Sequence, residues 1–122
     1  MKKTVMVVDD EQNIREAVKI LLEDAGFNVL TAVDGDDCLK KLDQQKTDLV
    51  LMDIFMPGTP VDKIVKKITK TKVVYLSVCR ASEVKEKELL KPKQVIGFIQ
   101  KPFELDELLN TVQDYIKDHK TQ

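Results

Sequence analysis

Five residues have a type and setting that could do chemistry: Asp9, Asp10, Asp53, Ser77 and Lys101. Asp53 stands in "LVLMDIFMPG", one acidic residue beside an apolar run and just before Pro57-Gly58. A carboxylate in that setting is costly to desolvate unless something compensates it. Three carboxylates gathered at one place repel one another and need a cation. An all-oxygen set with open positions suits Mg²⁺, or Mn²⁺ in its place, which keeps waters and joins carboxylates to a phosphate. A lysine and a hydroxyl beside that metal would supply donors to an anion. Together the five describe a carboxylate that accepts a phosphoryl group, with its charge neutralised by the metal and the lysine.

Such a set works only if the chain brings residues 9, 53, 77 and 101 together. The pattern between them predicts how. "TVMVV" (4–8) reads as a buried strand that stops at Asp9-Asp10. Ile14, Ala17, Val18, Leu21, Leu22 and Ala25 recur at helical spacing, and Gly26 is a natural stop. "FNVLTA" (27–32) is a second strand, Asp34-Gly35 a turn signal, and Cys38, Leu39 and Leu42 the inner face of a short helix. "DLVLMD" (48–53) is the third strand and "VDKIVKKI" (61–68) the third helix. "KVVYLSV" (72–78) is the fourth strand, and "SEVKEKELL" (82–90) a charged helix with few apolar anchors before Pro92. "QVIGFIQ" (94–100) is the fifth strand, and residues 104–116 form the last helix on Leu105, Leu108, Leu109, Val112 and Ile116.

Strand and helix alternate five times, and the strands are short apolar runs. That predicts a parallel sheet covered on both faces, a doubly wound three-layer α/β sandwich of five strands. Ligands of such sheets bind beyond the carboxyl ends of the strands, at the switch in strand order. Asp9-Asp10, Asp53, Ser77 and Lys101 all fall at those ends.

With 122 residues, 20 Lys+Arg against 21 Asp+Glu and a formal charge of −1, the chain reads as one domain with no electrostatic case for nucleic acid. No stretch resembles a signal peptide or a membrane span, so a cytoplasmic protein is expected. Cys38 and Cys79 lack metal-site spacing and read as reduced thiols, Cys38 in the core and Cys79 in a loop near the site. The single histidine, His119, lies in the polar tail, which argues against a histidine-based triad.

"VMVVDDEQNIR", "DLVLMDIFMPG", "VVYLS" and "GFIQKPF" resemble the receiver domain of two-component response regulators, in the family's order and over essentially the whole chain. The resemblance implies a flavodoxin-like (βα)5 fold and a signalling switch rather than an enzyme acting on an external metabolite. It implies that Asp53 is the phosphoacceptor, forming an acyl phosphate by in-line attack on a phosphohistidine of a sensor histidine kinase or a phosphotransfer protein. It implies Mg²⁺ ligation by Asp10, Asp53 and the backbone carbonyl of Phe55, with Asp9 acting through a metal-bound water. Lys101 would pair with Asp53 and then with its phosphoryl group, aimed by a cis Lys101-Pro102 bond. Ser77 would be the switch hydroxyl and Phe98 the aromatic switch. Residues 1–122 would be a single receiver domain with no output domain. It would act on an unknown downstream protein through the face of the helix at 82–90, the fifth strand and the last helix. The family commonly dimerises on activation, so a homodimer of the phosphorylated form belongs to what the resemblance implies.

The sequence departs from the family at four places. Thr59-Pro60-Val61 replaces a Met-Asp-Gly-like step, and Val does not accept positive φ. The span from Asp53 to Ser77 is short by roughly one helical turn of ~4 residues, which predicts a truncated third helix. Val78 stands where alanine is frequent, and Phe55 where a residue often orients the attacking water. An apolar ring cannot orient water, so a long-lived phosphoryl state is expected.

Each residue alone has a simpler reading. Asp9 or Asp10 could cap a helix, Lys101 could be solvated, Ser77 could cap a turn, and Phe98 could be plain core. Two rival functions follow: a receiver fold that only binds proteins, unphosphorylated, and a phosphatase of the haloacid dehalogenase type. The latter places its nucleophile in an Asp-x-Asp-x-Thr motif after the first strand, which "VVDDEQN" lacks.

Overall fold

A computed structural model describes residues 2–78 and 89–120, without the side chains of Ser77 and residues 118–120. The described elements are β1 (Thr4–Val8), α1 (Gln12–Asp24), β2 (Asn28–Ala32), α2 (Gly35–Gln44), β3 (Leu49–Asp53), α3 (Val61–Lys67), β4 (Lys72–Ser77), β5 (Val95–Gln100) and α4 (Leu105–Lys120). The expected helix over 82–90 falls almost entirely outside the described residues, as does Cys79.

Five parallel strands form one sheet in the order β2-β1-β3-β4-β5. The chain first steps outward to β2, then returns past β1 to β3, so the order reverses between β1 and β3. β1, β3 and residues Val73, Val74, Tyr75 and Leu76 of β4 are buried, which explains why their sequences are apolar runs and not alternations. Successive side chains feed two separate cores. Met6, Val8, Val50, Met52, Val73 and Tyr75 pack under α2 and α3 with Cys38, Ile64 and Val65. Val5, Val7, Leu49, Leu51, Val74 and Leu76 pack under α1 and α4 with Val18, Leu22, Leu108 and Val112. This is the three-layer sandwich that the alternation of elements predicts.

Local chemistry ends the elements where the sequence signals it. Gly26 follows α1 at φ 98°, a left-handed conformation that an L side chain rarely takes. The Asp34 carboxylate accepts the Asp37 N–H and caps α2. Cys38 is fully buried in the first core, and burial pushes its thiol up to about 12. It is a packing residue, as expected.

Three particulars go beyond the apolar pattern. α1 begins at Gln12, two residues before the first apolar position, and α4 runs on to Lys120, past the last one. The buried Tyr75 hydroxyl donates to the Leu89 carbonyl at 2.8 Å, tying the middle of β4 to the segment before β5. Gly97 of β5 lies directly beneath the Tyr115 ring of α4: a Cβ there would sit 2.0 Å from the tyrosine oxygen.

Candidate functional site

The reversal of strand order puts the ends of β1 and β3 side by side, with Val8 paired to Met52. The next residue of each strand points past the sheet edge. Asp9 and Asp10 follow β1, and Asp53 is the last residue of β3. One carboxylate oxygen from each of Asp9, Asp10 and Asp53 lies within 4.8 Å of the others. Asp9 is fully buried, Asp53 is 6% exposed and Asp10 is exposed.

Burial of two carboxylates demands partners, and the fold supplies them. The Lys101 ammonium, at the loop after β5, donates to Asp9 Oδ2 at 2.7 Å and lies 3.6 Å from Asp53 Oδ2. Its peptide bond to Pro102 is cis. Asp9 Oδ1 accepts the Glu11 N–H at 2.9 Å, and Asp53 Oδ1 accepts the Phe55 N–H at 3.2 Å. No buried side-chain nitrogen or oxygen among the described residues is left unpaired.

One ammonium does not balance three carboxylates. Unit charges that close repel by roughly 3 kcal/mol at an effective dielectric of about 20. Burial raises the Asp53 pKa, the Lys101 charge opposes that rise, and the Asp9 and Asp10 charges add to it. At Lys101 burial works downward, but the Asp9 hydrogen bond and the Asp53 and Asp9 charges outweigh it and hold the ammonium above its usual range. The site thus contains a partly frustrated anionic pocket: oxygen donors only, excess negative charge, and an exposed member at the mouth. That donor set fits a hard divalent cation of the Mg²⁺ class.

Four of the residues singled out in the sequence therefore converge: Asp9, Asp10, Asp53 and Lys101. Phe55 donates its backbone N–H to Asp53, and the residue is 48% exposed. Ser77 ends β4, one position beyond Leu76, the partner of Asp53, so its backbone reaches the same sheet edge. Val78 follows it, 67% exposed. Phe98 pairs with Tyr75 across β4 and β5 and is partly buried against the first core. Helix capping does not account for Asp9 and Asp10: the cap of α1 is Glu11, which makes no side-chain cap bond.

Two contacts carried no signal in the sequence. The Arg15 guanidinium donates to the Asp9 carbonyl at 2.8 Å and pins the end of β1 to α1. Its only mark was a place one turn into α1. Thr59 donates to the Asp36 carboxylate, at 2.9 Å to Oδ2, which fixes the atypical 59–61 turn against α2. Gly58 takes the positive φ of 98° there, so Val61 does not need to.

Residues 5–113 match the family model described as the response regulator receiver domain. The chemotaxis protein CheY4 of Vibrio cholerae superposes with a TM-score of 0.84 at 31% identity, over 93% of this chain and 98% of that one. A CheY-like receiver domain protein of Methanospirillum hungatei gives 0.85 at 30% identity over the full length of both chains. The TrrA response regulator of Thermotoga maritima, in complex with Mg²⁺ and BeF, gives 0.78 at 33% identity over 92% and 97%. Among curated proteins, this chain is 34% identical over 94% of its length to the CAI-1 autoinducer sensor kinase/phosphatase CqsS of Vibrio cholerae, spanning 18% of that protein. It is 31% identical over 84% of its length to the transcriptional regulatory protein PhoP of Bacillus subtilis, spanning 44% of it. The chain thus spans half or less of each of these two curated relatives.

Proposed function

Because this chain belongs to the response regulator receiver domain family, a family of signalling switches, we propose that it accepts a phosphoryl group on Asp53 from a phosphohistidine of a sensor histidine kinase or phosphotransfer protein. The observation that carries this reading is the convergence of three carboxylates within 4.8 Å, with the Lys101 ammonium bonded into them.

The residues divide the work. Asp53 Oδ2 faces the Lys101 ammonium, while Oδ1 is held by the Phe55 N–H. The carboxylate is thereby oriented, and the attack forms a P–O bond as the phosphorus–nitrogen bond to the donor imidazole breaks. Asp9, Asp10 and Asp53, with the Phe55 carbonyl, would hold Mg²⁺, which when bound would offset the charge gathered on the transferring oxygens. Lys101 would turn from Asp9 toward the phosphoryl oxygens, a short step because both carboxylates are already within its reach. Ser77 would donate its hydroxyl to a phosphoryl oxygen and Phe98 would follow by repacking, biasing a two-state equilibrium in the cytoplasm toward a form that binds a downstream protein around β5 and α4.

Intact-mass spectrometry after incubation with acetyl phosphate tests this directly. We expect one phosphoryl increment in the wild type, lost without Mg²⁺ and absent in Asp53→Asn. No increment under any condition would instead support a protein-binding module that is never phosphorylated.

A further inference from the structure

The far edge of the sheet, where β3 and β4 begin, has a different character. Between residues 61 and 72 the chain carries Lys63, Lys66, Lys67, Lys70 and Lys72 against one acid, Asp62. All five lysines are exposed. Lys66 and Lys67 lie in the last turn of α3, where a cation complements the helix carbonyls. Lys70 and Lys72 lie beyond the helix, so the dipole does not explain them.

α3 is only seven residues long, and at Ile68 the backbone turns extended. The segment 68–71 therefore runs alongside the end of α2 as open chain, leaving a cleft of about 510 Å³. Its apolar lining is Leu39, Leu42 and Ile68, and its rim carries Lys67 and Lys70. It continues past Leu42, Lys70 and Thr71 into a second hollow of about 440 Å³, where Lys46 and Lys72 extend the cationic rim. The acids beside it are Asp43 and Asp48. Asp48 is engaged, accepting the Thr4 N–H and facing Lys3. Among the described residues Lys46, Lys67, Lys70 and Lys72 form no ion pair.

We propose that this cleft docks an acidic peptide segment of a partner protein through one aliphatic or aromatic anchor. The lining calls for that combination: an apolar anchor to rest on the partly exposed Leu39 and Leu42, flanked by carboxylates for the exposed lysines. Nucleic acid fits less well, because among the described residues neither hollow is lined by an arginine to grip phosphate bidentately or an aromatic ring to stack a base. A membrane surface fits less well, because none of the exposed large hydrophobics among the described residues (Ile20, Val33, Phe55, Val78, Leu90, Leu105) lines the cleft. The cleft lies at the opposite ends of the strands from Asp53, so its occupant leaves the phosphodonor's approach open.

Fluorescence anisotropy tests the assignment. The probes are fluorescein-labelled glutamate-rich peptides with a single central leucine, isoleucine or phenylalanine, polyglutamate of equal length, and a short DNA duplex. We expect an anchored peptide to bind the whole chain in a salt-dependent way, with polyglutamate and duplex each weaker. Lys67→Glu/Lys70→Glu should weaken binding about tenfold or more and Lys67→Gln/Lys70→Gln by less, while Lys117→Glu on α4 should change little. Thermal melts of these exposed-site variants confirm their folding. Polyglutamate or duplex binding as tightly as every anchored peptide, indifference to Lys67 and Lys70, or no binding by any anchored peptide would each overturn the proposal.

Discussion

Phe55, two residues beyond Asp53, is half exposed, while its own N–H holds that carboxylate. Backbone and side chain thus serve opposite needs: the amide orients the carboxylate, and the ring offers nothing to a water approaching it. Phe55→Asn keeps the amide and adds a polar group there. It should shorten the lifetime of the phosphorylated protein by about tenfold, the effect of roughly 1.4 kcal/mol off the barrier. The check is the decay of the phosphoryl mass increment after the donor is removed; a decay no faster than wild type would remove the ring from the account. Asp9, Asp10, Asp53 and Lys101 were legible as one site because they sit at strand ends in an alternating pattern. That Lys101 bonds Asp9 more closely than Asp53 was not legible. The choice depends on the reach of one side chain within a cluster only a few ångströms wide, which no spacing encodes.

The elements were legible where an apolar pattern marks them and blurred where it stops. β1 is read to the residue, because a five-residue β-branched and apolar run ends abruptly at two aspartates. α4 runs past its apolar stripe because its last turn is polar. The shortness of α3 was legible as a deficit in chain length. What the deficit creates was not, since a cleft made by missing helix has no residue of its own and its lysines read as a solvated face. The close packing of α2 on α3 depends on one residue. A Cβ at Gly35 would lie 2.5 Å from Ile64 Cγ1. Ile64 is itself buried and β-branched, so it has little freedom to swing aside. Gly35→Ala should therefore destabilise by about 1–3 kcal/mol, the usual cost of overpacking, despite adding a better helix former. Urea denaturation measures this, and a neutral or stabilising result would show that α2 can shift freely.

At the scale of the whole molecule, the sheet has two unlike edges. One gathers buried negative charge, and the other carries the lysines around the α2–α3 cleft. Near-neutral net charge hides this polarity, because composition sums over the whole surface. Strand order was equally hidden: the apolar runs say that five strands pair but not that β1 lies between β2 and β3. The crowded carboxylates weigh against the folded state unless a cation joins them, and a ligand that binds only the folded form adds about 2.7 kcal/mol at a hundred times its dissociation constant. Mg²⁺ should therefore raise the thermal unfolding midpoint of the wild type beyond K⁺ at matched ionic strength. Most of that rise should vanish in Asp53→Asn, and an equal rise in both would point to nonspecific screening. The two tyrosines add something to the same picture. The chain has no tryptophan, and Tyr75 and Tyr115 are its only phenols. Tyr75 is bonded to Leu89 ahead of β5, and Tyr115 lies over Gly97 within β5. The native ultraviolet emission of this protein thus originates on both sides of a single strand, making β5 and its surroundings optically readable without any attached dye.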